Sequence, residues 1–395
     1  MAGLNHTLAL KKNLDQRARE RFTSSLRAYT LVDLADQLRS DYSEEQTAVE
    51  HPHQSGEDVH RFLKSRDLFK WYSSLRCTAQ ELVWQSTLRA LDEDRTTLAG
   101  LSGVTQVAPE KSAVGGSLAL DPKLSLPSYI DTMDVHLMPG NYQGDREDVS
   151  VHPGAVYDNG LEVFSFGVMG EHLDDIGNSM ANFTRLRWPG LTVDTVVDVG
   201  CTIGHNTLPW KQAFPDAQVY GLDIAAPCLR YGHARAESLG VAAHFRQANC
   251  DQLPFDDGSV DVVFSSMFLH ELPRNVINDF FKEAYRILRP GGLIIHMELP
   301  PNEALAPYDA FYLDWDCFYN NEPFYKEFRD LSYPALCRDA GFDESAFFQA
   351  TLPRYTYVDE QEFRDAIDRT ASFDEDTGRL SDTITWYAFG SRKQG

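Results

Sequence analysis

Along the chain, the spacing of apolar positions changes character more than once. Over residues 58–93, Phe62, Leu68, Tyr72, Leu75, Leu82 and Leu88 recur at roughly helical spacing, the signature of amphipathic helix. Residues 8–41 are rich in charge and in good helix formers. Between these regions, SEEQTAVEHPHQSGED (43–58) reads as a polar linker. The first ~95 residues therefore predict a helical module whose apolar stripe serves as a packing or dimer face. Residues 98–127 hold no period and scatter Gly, Ser and Pro, which predicts a long connection. Residues 131–175 mix aromatics, His and Gly as plain linkers do not.

From residue 193 short apolar runs alternate with amphipathic stretches: TVVDV (195–199), AQVYGLD (217–223), AAHFRQA (242–248), VDVVFSS (260–266) and GLIIHMEL (292–299). In RNVINDFFKEAYRILRPGG, Ile277, Phe281, Ala284 and Leu288 share a helical face, and Arg289-Pro290-Gly291-Gly292 ends the helix. Near-continuous apolar strands separated by helices predict an α/β doubly wound, mostly parallel sheet covered on both faces. ESAFFQATLPR (344–354) and TITWYAFGSRK (383–393) read as two closing strands. The expected division is a helical module and linker (1–125), a lid-like segment before the sheet (126–190) and a ligand-binding domain (191–395).

Charge narrows the partners. With 36 Lys and Arg against 59 Asp and Glu, the formal net charge is −23. Such a surface repels phosphate backbones and anionic lipid heads, so neither nucleic acid nor a membrane is the expected partner. No apolar run approaches the ~20 residues that span a bilayer. The N-terminus lacks a signal-peptide core, and a cytoplasmic protein is expected. None of the six cysteines forms a CxxC pair, which predicts reduced thiols. No zinc signature or acidic metal cluster is visible, so metal-independent chemistry is expected.

The candidate chemistry starts at VVDVGCTIGHNTLPW, residues 196–210. In open α/β sheets ligands bind at the carboxyl ends of the strands, and Gly200 and Gly204 remove two side chains there. Pro209 is tolerated only in the first turn of a helix, which predicts a start near Asn206 or Thr207, either able to cap it. A phosphate-binding P-loop would need a Lys after the last glycine. A dinucleotide fingerprint would need glycines where Thr202 and His205 stand. Asp223, at the tip of the next strand, can accept from both hydroxyls of a ribose. A glycine turn and this Asp without a pyrophosphate site suggest an adenosine ligand lacking phosphates.

At this point the sequence resembles the class I S-adenosylmethionine-dependent methyltransferases, closely over 190–300 and loosely over 300–395. VVDVGCTIG matches the first motif of the family and GLDIA its ribose-binding acid. QANCDQLPFDDGSVDVVFSS and EAYRILRPGGLIIHMEL follow in family order and spacing. The resemblance implies a seven-stranded Rossmann-like sheet with S-adenosyl-L-methionine as cofactor. By that resemblance Asp198, Gly200, Cys201, Thr202 and Gly204 line the methionine and ribose. Asp223 holds the ribose hydroxyls, Ile224 packs on adenine, and Asn249 and Cys250 face its edge. Ser265 closes the end of the fourth strand. Thr202 replaces the usual middle glycine and Asn249 the usual Asp.

Methyl transfer to a hydroxyl or an ammonium needs a base. His270, in SSMFLHELP, is expected beside the methyl site, with Glu271 orienting it or acting on a cationic acceptor. The stretch 308–328 sets Tyr308, Tyr312, Trp315, Tyr319 and Phe324 among Asp314, Asp316 and Glu322. Aromatic faces with carboxylates suit a cationic acceptor; the same pattern equally fits a buried amphipathic cover whose acids face solvent and which binds nothing. From the segment before the sheet come Tyr142, Tyr157, Glu171 and His172. The leading expectation is a small-molecule methyltransferase whose N-terminal helices shape the acceptor site or form a homodimer. Other alkyl transfer, protein methylation and a non-catalytic scaffold remain alternatives. The acceptor atom, among oxygen, nitrogen, sulfur and carbon, stays open.

Overall fold

The computed structural model describes residues 4–47, 52–93, 112–143 and 150–395. Part of the 43–58 linker and most of the 98–127 connection lie outside these residues. Eight strands form one sheet: β1 Ser117–Ala119, β2 Thr195–Val199, β3 Gln218–Asp223, β4 His244–Gln247, β5 Val260–Ser266, β6 Leu288–Glu298, β7 Phe347–Leu352 and β8 Trp386–Arg392. Their order is β1-β4-β3-β2-β5-β6-β8-β7, with β8 antiparallel to both neighbours. The chain winds outward from β2 through β3 to β4, then returns to β5 on the other side. The crevice between the carboxyl ends of β2 and β5 is therefore the switch point.

The sheet has one strand more than expected. Strand β1 comes from the stretch read as structureless connection and pairs parallel with β4, Leu118 opposite Phe245. Three residues are too few to show a period. Gly116 permits the approach, since a Cβ there would lie 2.5 Å from the Ala243 carbonyl oxygen. Strand β6 also starts earlier than expected, at Leu288, directly where the preceding helix ends.

Alternation along the strands builds two cores. Val196, Val262, Phe264, Leu293 and Ile295 face one side, while Val197, Val263 and Ile294 face the other. Period-2 pleating explains why each strand reads as an unbroken apolar run. Helices α5 His152–Phe164 and α6 Asp175–Arg187 precede the sheet, α7 Leu208–Ala213 follows β2, and α8 Ala226–Ser238 follows β3. Helix α9 Arg274–Ile287 feeds β6, and α10 Pro307–Tyr319 follows it.

The N-terminal residues are helical as expected: α1 Leu14–Ala28, α2 Ala35–Thr47, α3 Gly56–Leu63 and α4 Asp67–Glu93. Helix α1 opens on a reciprocal capping box between Asn13 and Gln16. A π-helical stretch, Tyr29–Leu34, joins α1 to α2. Helices α2, α3 and α4 dock on α10, and α1 packs on α4 and α5. Tyr42 packs on Tyr308 with ring centroids 4.9 Å apart, and Tyr72, from the predicted stripe, packs on Tyr312 at 6.3 Å. Buried Arg76 grips the carboxylate of Asp316 with both Nε and a terminal nitrogen, and donates to Asn320 Oδ1 at 2.7 Å.

Candidate active site

The turn after β2 is held by backbone bonds: the N–H groups of Gly200 and Cys201 both donate to the Leu222 carbonyl, at 2.8 and 3.0 Å. Gly200 and Gly204 have φ of +77° and +73°, and Thr202 shares that left-handed region at +51°, where a non-glycine residue is strained. Asp223 stabilises the loop by accepting from Thr202 N and Ala225 N, each at 2.8 Å. Burial pushes the Asp223 carboxyl up to about 6, against the pull of those amides. Burial likewise pushes Asp198 up to about 7, opposed by its bond from the Thr207 hydroxyl.

That bond changes the expected helix start. Helix α7 begins at Leu208 with Pro209 in its first turn, but no side chain caps it. Thr207 gives its hydroxyl to Asp198. The Asn206 amide instead bridges Gly177 N at 2.9 Å and Ser266 Oγ at 3.0 Å. A buried carboxylate without donors costs more than an uncapped helix end.

One continuous cavity runs from this turn toward the N-terminal helices. Its wall brings together Asp198, Gly200, Cys201, Thr202, Asp223, Ile224, Asn249 and Cys250 with Tyr142, Tyr157, His270, Glu271 and Tyr312. Other residues expected at the site lie elsewhere. Gly204 faces the Phe245 ring, 2.6 Å from where a Cβ would stand, so its bareness serves packing. Ser265 is buried against His296, with its Oγ 2.7 Å from Nδ1; the pleat turns Ser266 into the cavity instead. His172 contributes its carbonyl to Arg235 at 2.6 Å. Tyr308 packs on Tyr42 beneath the Arg39 guanidinium. Trp315 donates to Ser73 Oγ and stacks on Phe318, and Tyr319 meets the edge of Trp315. These three aromatics of α10 are taken by the docking of the N-terminal helices. Glu171 is exposed and accepts from Asn5.

Gly204→Ala is expected to destabilise the protein by about 2–4 kcal/mol, combining the left-handed φ with overpacking. Urea unfolding measures it; an unchanged midpoint would mean that Phe245 yields freely.

Where the cavity leaves the sheet, six ionisable groups interlock. The Tyr142 hydroxyl donates to Glu271 Oε1 at 2.9 Å, and His136 Nε2 lies 3.1 Å from the same oxygen. His136 Nδ1 faces Glu322 Oε1 at 3.2 Å. His270 Nδ1 lies 2.7 Å from Glu298 Oε2, and its Nε2 is 3.6 Å from Glu322. Burial alone would strip the proton from His270, but Glu298 and then Glu322 outweigh it and hold the imidazole well above its ordinary range. The same contest, with Glu322 and Glu271 prevailing, raises His136. For Glu271 burial works upward, yet the His136 contacts win and lower it. His270 therefore offers no free lone pair at neutral pH, whereas Glu271 remains a carboxylate.

Of these, His136 and Glu298 were not singled out by sequence, whereas Glu322 belongs to the 308–328 stretch that was. His136 lies within the aromatic- and His-rich stretch 131–175, with φ of +58°. Helix α4 holds that strained turn: Gln80 and Trp84, one turn apart, both donate to the His136 carbonyl, at 2.7 and 2.6 Å. Donor atoms of His136, Glu271 and Glu322 lie within 4.8 Å of one another, a spacing that could hold a metal ion. A cation there would have to displace the proton for which both carboxylates hold the imidazole.

Residues 196–292 match the family described as a methyltransferase domain. The chain is 32% identical over 139 residues to the demethylmenaquinone methyltransferase of Thermus thermophilus, covering 32% of this chain and 61% of that one. Over 164 residues it is 33% identical to the chloroplastic tocopherol O-methyltransferase of Arabidopsis thaliana, covering 37% and 46%. A ubiquinone/menaquinone biosynthesis C-methyltransferase of Dinoroseobacter shibae is 29% identical over 175 residues, covering 40% and 69%. The chain spans about half the length of the curated relatives it matches, and more than half of this chain lies outside each match.

Proposed function

We propose, from the premise that residues 196–292 make this chain a member of the class I S-adenosylmethionine-dependent methyltransferases, that it methylates a small molecule held between the sheet edge and the N-terminal helices. One observation carries the reading: a single cavity joins Asp223 and Asn249 to Glu271, Tyr142, Trp84 and Tyr312. Two molecules can meet there while the surrounding buried side chains exclude water. An acceptor fitted into such a chamber is a small molecule rather than a protein surface.

The residues at the switch point fit the cofactor. Each oxygen of Asp223 takes one backbone N–H and keeps lone-pair capacity for a further donor. Its raised carboxyl shows that these bonds do not compensate its burial; a vicinal diol would add the missing donors. Asp223 would hold the ribose, Asn249 and Cys250 the adenine edge, and the Gly200–Thr202 turn the amino-acid end. S-adenosylmethionine bound there supplies an electrophilic methyl group. Glu271 accepts the acceptor's proton, Tyr142 and His136 orient its carboxylate, and His270 braces Glu322 and Glu298 behind it. The base role thus passes from His270 to its neighbour.

The test is calorimetric titration with S-adenosylmethionine, followed by incubation with a panel of phenols, amines and carboxylic acids. Cofactor binding and a product heavier by one methyl in place of hydrogen are expected. Absence of cofactor binding, or release of methylthioadenosine without methylation, would overturn the reading.

A further inference from the structure

Arg27, at the end of α1, is 1% exposed and lines the cavity. Its Nε donates to the Phe164 carbonyl at 2.7 Å and one terminal nitrogen to Gln80 Oε1 at 2.5 Å. The guanidinium lies over the Phe164 ring, 3.9 Å from its centroid. Every partner is neutral. Among the described residues, His136, His270 and Arg379, the other raised or permanent cations of this wall, each face a carboxylate within 4.0 Å. Arg27 has none. The acid that acts on its charge, Asp316, is already bound by two nitrogens of Arg76. Burial, followed by repulsion from Arg76, presses the Arg27 charge downward, with Asp316 only partly opposing. A guanidinium does not deprotonate in a protein, and an isolated buried charge is costly.

We infer that the acceptor is a carboxylate anion whose charge is received by Arg27. The inference rests on the methyl-transfer reading and adds the substrate class to it. Among the described residues of this wall, one cation without an acid partner matches one negative charge, and Asp316 disfavours the double charge of a phosphate. Leu31, Trp84, Tyr312 and Leu313 make the adjoining wall, which selects an apolar or aromatic body. The scale fits a small molecule: the Phe164 centroid is 3.9 Å from the Arg27 guanidinium and 6.0 Å from the His136 ring, whose Nε2 meets Glu271. An acid anchored at Arg27 can therefore present another atom to Glu271. The cofactor's own aminoacyl carboxylate is the other source of this chemistry. It is disfavoured because the groups acting on Arg27 are Arg76, Asp316, Tyr312 and Tyr72, none from the turn after β2.

The test is calorimetry on the full chain with S-adenosylhomocysteine, then with 3-phenylpropanoate, 3-phenylpropanamide, 2-phenylethylamine and phenyl phosphate. The carboxylate is expected to bind at least about tenfold more tightly than the amide, the scale of one charge-assisted hydrogen bond. Arg27→Gln should abolish that gap and leave S-adenosylhomocysteine affinity intact; Arg27→Lys should restore part of it. Equal binding of amide and carboxylate, or tighter binding of the amine or the phosphate ester, overturns the inference. So does an Arg27→Gln loss confined to S-adenosylhomocysteine with methylthioadenosine unaffected, which would assign the carboxylate to the cofactor. If Arg27→Gln fails to fold, the wild-type gap decides. If the wild type does not bind S-adenosylhomocysteine, the methyl-transfer reading falls, and the same probes titrated into the protein alone still decide this one.

Discussion

Asp223→Ala should weaken S-adenosylmethionine binding by about 100-fold or more, because two hydrogen bonds to a charged group contribute about 1.5–3 kcal/mol each. The variant also removes the acceptor for Thr202 N and Ala225 N, so the turn that cradles the ligand loses its anchor. Titration carries a second signature. The unliganded Asp223 carboxyl is raised from 3.8 to about 6. Donors from a diol favour the ionised form, so the carboxyl falls on binding and a proton is released below that value. Affinity should therefore be flat above pH ~6 and decline as pH drops through it, by up to about tenfold per unit. Calorimetry between pH 5 and 8 reads both effects. An Asp223→Ala protein that binds normally, or an affinity rising in acid, would remove Asp223 from the ligand.

Glu271→Gln is expected to lower kcat by about 100- to 10,000-fold, the range of a lost general base, while leaving the cofactor Kd unchanged. The amide keeps the size of the side chain and can still accept from Tyr142, so the loss reports basicity rather than packing. The pH profile separates the two neighbouring residues. Glu271 is held below its ordinary range, so kcat should stay level from pH 8 down to about 5. A base at His270, raised well above 6.5, would give a rate that climbs through and beyond neutrality. His270→Gln should act on folding instead. It leaves Glu298 buried without its ion-pair partner, a loss of about 3–5 kcal/mol that a thermal melt detects. A normal kcat in Glu271→Gln, or an acid limb near neutrality in the wild type, would refute this division of roles.

What could be read in the sequence was local. Strand β2, the turn at Gly200 and the acid at Asp223 follow from period and spacing over fewer than thirty residues. The acceptor chamber does not. It draws on Arg27, His136, Tyr142, Glu271 and Glu322, whose juxtaposition depends on how α1, α4 and α10 dock, and no periodicity encodes docking. Other departures are finer. A shift of one position along β5 exchanges Ser265 for Ser266, because successive residues point to opposite faces. A glycine marks a place where a Cβ is not tolerated without saying what fills the space: at Gly204 the occupant is Phe245, not a ligand. The density of aromatics on α10 was visible, yet most of them serve the interface with the helical module.

The π-helical stretch Tyr29–Leu34 sets the rotational phase between Arg27 and the rest of its helix. Within it the Leu31 carbonyl receives Tyr312 and Arg379, and beyond it Asp36 binds Arg379, so the stretch and the chain after it are fixed to the body. Loss of one residue within it would wind the helix regular and turn everything before it by roughly 100°. Arg27 would leave the cavity with no residue of the chamber replaced. Insertion and deletion at this point are thus a route by which acceptor choice can diverge between descendants whose site residues stay the same.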